Sequence, residues 1–413
     1  MSEFEDWLRK GLGRAAVHLM THDSKPYREA IAHACTHNLA YDRQCEETRP
    51  QYLIDLIQLS RDEDFYRDAI LDAIRTAQQV EEDDHDNRFA IGQIYGIATH
   101  FAKQDEEIRR AMYATFQRLG FANAGLECAE QLIKLDGVPG LVSASETVDQ
   151  IDADERPWMF GEMLKTLDQH HGKHPLPHTL IPFAAEREAY QARPRSPGTP
   201  RMSYAEVKAR VLAQGRKAGM LLWTKRATDE EVRCLADDLL AETDPDRLYG
   251  FLRMFHLQQF PRDPARLFEL ASSEDAGISL AARHALANNS HPGIRPLALS
   301  IADDPEMQGL ALKLLTRNRQ STDYPLMERF LTEASGDDHM HWIVGIALDY
   351  IKVEPAPEAS PSLLLIYQKS PCIICRKYAV EQLLALNLLP EWLRLECLYD
   401  ANREISQLVR NSA

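Results

Sequence analysis

SSEDAGISLAARHALANN, residues 272–289, is followed at 303–318 by DDPEMQGLALKLLTRN. Laid over each other, Ile278, Ala282 and Leu286 fall on Met307, Ala311 and Leu315, a displacement of 29 residues. Each stretch starts with a polar turn and continues with a branched apolar residue, small residues and leucine at three- and four-residue spacing. That spacing puts them on one face of a helix. Nearer the C-terminus, PCIICRKYAVEQLL and YDANREISQLV repeat the same step, with Pro371 falling on Asp400. A fixed period in a helical pattern marks a stacked array rather than a single bundle.

The periodicity extends through the chain. YLIDLIQL at 52–59 and EIRRAMYATFQRL at 107–119 are amphipathic helices by pattern. Ser60 with Glu63, Ser203 with Glu206 and Thr228 with Glu231 have the spacing of a capping box. Pro245 after Asp244 and Pro305 after Asp304 suit first helical turns, where a missing N–H is harmless. Short helices with such brief punctuation are expected to pack as antiparallel neighbours.

The pattern resembles the second helix of HEAT-like repeats, in the short bacterial variety of about 30 residues. The resemblance is clear over 228–413 and weaker over 1–170. It implies an all-α chain, an α-solenoid of stacked antiparallel helix pairs forming a HEAT-like superhelix whose extended inner face suits another macromolecule. Some proteins with such repeats attach bilins, but no residue here carries that activity over. The expected organisation is an N-terminal helical array at 1–170, a Pro-rich basic linker or insertion at 171–202, and C-terminal repeats at 203–413.

Charge narrows the functions. With 63 Asp+Glu against 47 Lys+Arg the net charge is −16, which repels phosphate backbones and anionic lipids unless the cations are segregated. One segment segregates them: residues 187–226 hold ten Lys/Arg and two Asp/Glu. Here Arg193, Arg195, Arg201, Lys208, Arg210, Arg216 and Lys217, with Lys225 and Arg226, are candidates for tracking phosphates. Bacterial alkyl-base DNA glycosylases built from HEAT-like repeats hold duplex DNA on such a basic face. The opposite extreme is EEDDHD at 81–86, read as a polar loop.

The start, MSEFEDWLRK, is acidic where a secretory leader is basic and then apolar, and no apolar run reaches the ~20 residues of a membrane span. Seven scattered cysteines fit reduced thiols better than a disulfide framework. Together these point to the cytoplasm and away from membranes.

Several stretches are candidate sites. AYDRQCEETR, residues 40–49, is denser in polar groups than a solvated turn requires, and LYDANREISQ at 398–407 begins the same way. In both, the aspartate can serve as a helix N-cap. Tyr41, Asp42, Gln44, Glu46, Glu47, Arg49 and Tyr52 are the candidate partner-binding patch, because loops on a rigid scaffold concentrate function. His18/His22 and His33/His37 are spaced i,i+4, and in an antiparallel hairpin only His18 and His33 meet, too few for zinc. CIIC at 372–375 lacks a second pair. Cys397 is a conceivable third ligand, but the repeat puts Cys375 on the buried stripe, so Cys372, Cys375 and Cys397 are weak metal candidates and no metal is expected. GLGRAA at 11–16 follows an acidic helix rather than a strand, which excludes a dinucleotide loop.

The expectation is a protein-binding scaffold or adaptor without cofactors or intrinsic catalysis, its partner carrying exposed basic segments. The alternatives are nucleic-acid binding through 187–226, or an enzyme whose site lies in the N-terminal patch.

Overall fold

The computed structural model describes residues 2–46, 48–78, 85–192, 201–218, 220 and 222–412, with the backbone alone at 85–87 and 149. Among these residues the chain is all-α, with short 3-10 turns and no strand. Successive helices pack on one another, as the alternation of apolar stripes and short turns requires. No helix is long and apolar enough to cross a membrane among the described residues.

Two compact units emerge. The first comprises Met1–Arg195, Pro371–Glu381 and Leu389–Ala413, and the second Ser196–Ser370 and Gln382–Leu388. Residues 371–381 and 389–413, expected among the C-terminal repeats, thus fall with the N-terminal helices. The stretch expected as a linker holds the helix Ile181–Gln191, which packs on Arg156–His171 with Phe160 and Phe183 centred 5.7 Å apart. Residues 193–200, including three of that stretch's prolines and arginines Arg193 and Arg195, lie outside the described residues, as do 81–84 of the acidic run.

In the first unit, the helices Arg49–Ser60, Glu63–Thr76, His85–Ala102 and Glu106–Asp136 surround a core that includes Tyr52, Ile57, Tyr66, Ile74, Tyr95 and Phe116, all nearly inaccessible. Gly120 and Gly125, at positive φ, break the helical dihedrals inside Glu106–Asp136. In the second unit, the predicted capping boxes at Ser203 and Thr228 form, and Asp244 caps Pro245–Met254. The box at Ser60 does not. Arg61, at φ 57, ends the preceding helix, Asp62 takes the cap position, and the Ser60 hydroxyl donates to the Ile57 carbonyl at 2.6 Å.

Among side-chain bonds of the second unit that reach from 25 to 38 residues along the chain, several share nearly one spacing. Arg201 pairs with Glu231, Lys208 with Asp238 at 2.7 Å and Arg216 with Asp246 at 2.7 Å, each separated by 30 residues. Asn318 donates to the Asn289 carbonyl 29 residues earlier, at 2.9 Å.

The same unit holds two half-buried imidazoles, His256 and His284, with ring centroids 4.6 Å apart. Burial pushes His256 down to about 3 and His284 to about 4, the nearby Lys313 ammonium adding to both. The unfolded rings take up protons near pH 6.5, while the folded rings stay neutral to about pH 4. Their stabilisation is therefore complete above pH 6.5 and is lost as the pH falls from there towards 4, by at most ~1.4 kcal/mol per pH unit for each ring. The expected result is a urea midpoint for the second unit that drops between pH 7 and pH 5 and drops less in His284→Gln. An identical pH profile in the variant contradicts this assignment.

Candidate functional site

The stretch that begins at Tyr41 divides into an outer and an inner part. Asp42 does not cap a helix; its Oδ1 accepts from the Gln44 N–H at 3.2 Å and its Oδ2 from the Cys45 thiol at 3.2 Å, which closes a tight turn. Tyr41 and Asp42 are partly exposed and Gln44 is exposed. Glu47 lies outside the described residues.

Glu46, Arg49 and Tyr52 point inward, at 4%, 1% and 1% exposure. The helix Arg49–Ser60 opens with Pro50 in its first turn, and the Thr48 hydroxyl at its N-terminus donates to the Ala401 carbonyl at 2.6 Å. Arg49 reaches back to Glu46 at 2.6 Å and donates to the carbonyls of Leu8 at 2.6 Å and Arg9 at 3.1 Å. Those carbonyls end the helix Glu3–Lys10, which Gly11 closes at φ 68 with its own N–H on the Leu8 carbonyl at 3.1 Å, and the guanidinium adds a cation at the negative end of the helix dipole. The Tyr52 hydroxyl donates to the Leu12 carbonyl at 3.1 Å.

The second YD stretch arrives at the same place. Arg376, with no exposure, donates to Asp400 at 3.1 Å. Asp400 also accepts from the Asn402 N–H at 2.9 Å, the same two-residue turn as at Asp42, and Asn402 rather than Asp400 caps the last helix. The Ala401 N–H donates to the Gly11 carbonyl at 2.9 Å. Glu46, Arg49, Arg376 and Asp400 make a buried set of two cations and two anions, with no net charge to solvate. Burial pushes the Glu46 carboxyl above its ordinary range, against the pull of Arg49 and Arg376.

Three further ties surround this set. Arg14 bonds Glu396 at 2.7 Å, with its guanidinium over the rings of Trp7 and Trp392 at 5.9 and 5.8 Å. Arg403 pairs with Asp55 at 2.7 Å, and Asn402 donates to the Ile373 carbonyl at 3.3 Å. Gly11 and Gly13 are where the C-terminal stretch passes: a Cβ on Gly13 would stand 1.8 Å from the Glu396 carbonyl oxygen. The GLGRAA glycines therefore serve close packing of backbone on backbone.

The thiols of this unit are not poised as nucleophiles at Cys35 and Cys45. Burial pushes Cys35 up to about 12, and donation to Asp42 pushes Cys45 up to about 11. Cys372, Cys375 and Cys397 are all buried, at 5%, 7% and 0% exposure, and Cys372 directly precedes the helix Ile373–Ala385.

An open groove of about 650 Å³ lies between the helices Arg28–Thr36, Glu63–Thr76 and His85–Ala102 of this unit. Ala32, Ala69, Ala73, Ala77 and Ala90 line it, with Glu29, Asp72, His33 and His37 among its polar residues. His33 and His37 have ring centroids 4.1 Å apart, while His18 stacks on His22 at 3.9 Å and bonds the Tyr27 hydroxyl at 3.0 Å. The pairing is thus within each i,i+4 pair, not between His18 and His33 as the hairpin argument expected. Burial, and then His37, hold His33 below the ordinary imidazole range.

In the basic segment, the cations meet acids of the following helices. Arg201 bonds Glu231 and the Arg226 carbonyl, Lys208 bonds Asp238, Arg216 bonds Asp246 and Asp275, and Arg210 bonds Gln214 at 3.2 Å. Lys217, Lys225 and Arg226 are exposed.

Sequence reasoning nominated Glu46, Arg49 and Tyr52 but not their partners Arg376, Asp400, Arg14 and Glu396. The shared YD opening of the two stretches was the signal that could have joined them. Nothing in the sequence sets the groove's alanines apart, and only its histidines stand out. No family model, curated protein or solved structure matches the chain.

Proposed function

We propose that the chain is a HEAT-like α-solenoid scaffold of the cytoplasm, without intrinsic catalysis, that binds a protein partner through the loop carrying Tyr41, Asp42, Gln44 and Glu47. The repeat reading is supported by the helix-on-helix packing and by three bonds of 30 residues' separation within 201–246 and one of 29 between Asn289 and Asn318. The observation that carries the binding reading is the exposed turn at Gln44, pinned from below by the enclosed charges of Glu46 and Arg49. Polar groups on a loop held by a rigid base present one geometry to a partner and lose little entropy on binding. The acidic balance favours a partner with exposed basic segments.

The test is purification of the tagged full-length chain from its own cells after nuclease treatment, beside a Tyr41→Ala/Gln44→Arg variant. The expected result is a stoichiometric protein whose recovery falls roughly tenfold in the variant, the loss from removing one or two central contacts, with unchanged melting temperature. Equal recovery by both chains rejects the loop as the binding site. Phosphate binding by 187–226 has less support, because Arg201, Lys208 and Arg216 already hold carboxylates. Duplex DNA binding that weakens steeply between ~50 and ~200 mM salt reinstates it.

A further inference from the structure

We infer that the groove between Arg28–Thr36, Glu63–Thr76 and His85–Ala102 docks a basic peptide segment of a partner protein, a second contact that rests on the protein-binding reading. Its volume, about 650 Å³, is that of a site for several side chains rather than a packing defect. Its walls come from three helices held in the core by Ile70 and Ile74, while Ile91 and Ile94 are buried beside them and line the groove, so the opening persists without a ligand.

The chemistry selects the occupant. Glu29 and Asp72 are exposed at the groove, Glu29 in an exposed pair with Arg28 at 3.6 Å, and no lysine or arginine lines the groove itself among the described residues. His33 is neutral at neutral pH, since burial holds it below its ordinary range. The fixed charge is therefore negative, and it sits over small side chains: Ala69, Ala73 and Ala77 repeat at four-residue spacing along one wall. Lysine or arginine side chains meet the two carboxylates while their methylene stems, and small neighbouring residues, lie on the alanine surface. An acidic peptide is repelled.

The probe is a dye-labelled decapeptide of alternating lysine and alanine, titrated with the full-length chain at ~50 mM salt and followed by fluorescence anisotropy. Saturable one-to-one binding is expected. It weakens at least tenfold in Ala73→Phe, which fills the groove without changing charge, and in Glu29→Lys/Asp72→Lys. It is unchanged in Glu269→Lys, an exposed charge reversal in the second unit. Should Ala73→Phe fail to fold, Ala77→Phe replaces it. Tyr41→Ala/Gln44→Arg is expected to bind the probe normally, so that failure of the loop reading and failure of the groove are separately visible. Absence of saturable binding, an affinity unmoved by filling the groove, or an equal loss in Glu269→Lys overturns the inference.

Discussion

Arg49→Ala is expected to destabilise the first unit by about 3–5 kcal/mol, the range for removing one partner of an enclosed ion pair. The side chain is 1% exposed, so its truncation leaves the groups it bonds enclosed. Its loss leaves Glu46 without its 2.6 Å partner, takes this donor from the Arg9 carbonyl and leaves the Leu8 carbonyl with the Gly11 N–H alone. Most of the effect is the penalty of a stranded charge rather than the worth of the bond. The double variant Glu46→Leu/Arg49→Met should accordingly recover part of the loss, since an apolar pair strands no charge. Urea unfolding read from amide exchange within Arg49–Ser60 measures both. A loss below about 1 kcal/mol in Arg49→Ala, the value of an exposed pair, contradicts the enclosed network.

Gly13→Ala is the second large effect, about 3 kcal/mol, at the upper end for overpacking because the obstacle is backbone. Gly13 has φ −61, which alanine adopts freely, so the substitution carries no conformational strain of its own. Its Cβ would meet the Glu396 carbonyl oxygen at 1.8 Å and the Asp400 nitrogen at 2.9 Å, and neither moves without displacing the C-terminal stretch. Gly125 offers the converse: φ is 75 and nothing lies within 4 Å of an added Cβ. Gly125→Ala therefore costs only the strain of a backbone region, φ 75 and ψ 175, that glycine alone adopts readily, about 1–3 kcal/mol. Thermal unfolding of the two variants separates the mechanisms, and a smaller loss in Gly13→Ala than in Gly125→Ala contradicts the close passage of the chain's ends.

The helices were legible because their signals are local. An apolar stripe, a Ser or Thr three residues before Glu, and Asp before Pro each act within a turn or two, and 203–206, 228–231 and 244–245 behave as their residues require. Ser60 failed because Arg61 terminates the previous helix and the neighbouring Asp62 takes the cap. The site was legible only in halves. Tyr41–Asp42 and Tyr399–Asp400 carry the same turn, and that likeness is in the sequence, but nothing periodic says that the two turns share one buried cluster. Arg376 sits inside an apolar helix pattern and Asp400 in a polar turn, and ion-pair partners far apart in sequence leave no spacing to detect. The groove is hidden for another reason: Ala69, Ala73 and Ala77 look the same in sequence whether a neighbouring helix or open space lies over them.

Native-state hydrogen exchange on the intact chain tests most directly whether the two ends form one cooperative unit beneath the Tyr41–Gln44 loop. The amides of Tyr52, Leu53 and Ala401 should open with a single free energy, because Thr48, Gly11 and Ala401 are joined by bonds that break together. All three should fall together in Arg376→Ala. If Ala401 exchanges several kcal/mol more readily than Tyr52 and Leu53, and Arg376→Ala leaves those two amides unchanged, the C-terminal stretch is an attachment rather than part of the base, and the account fails.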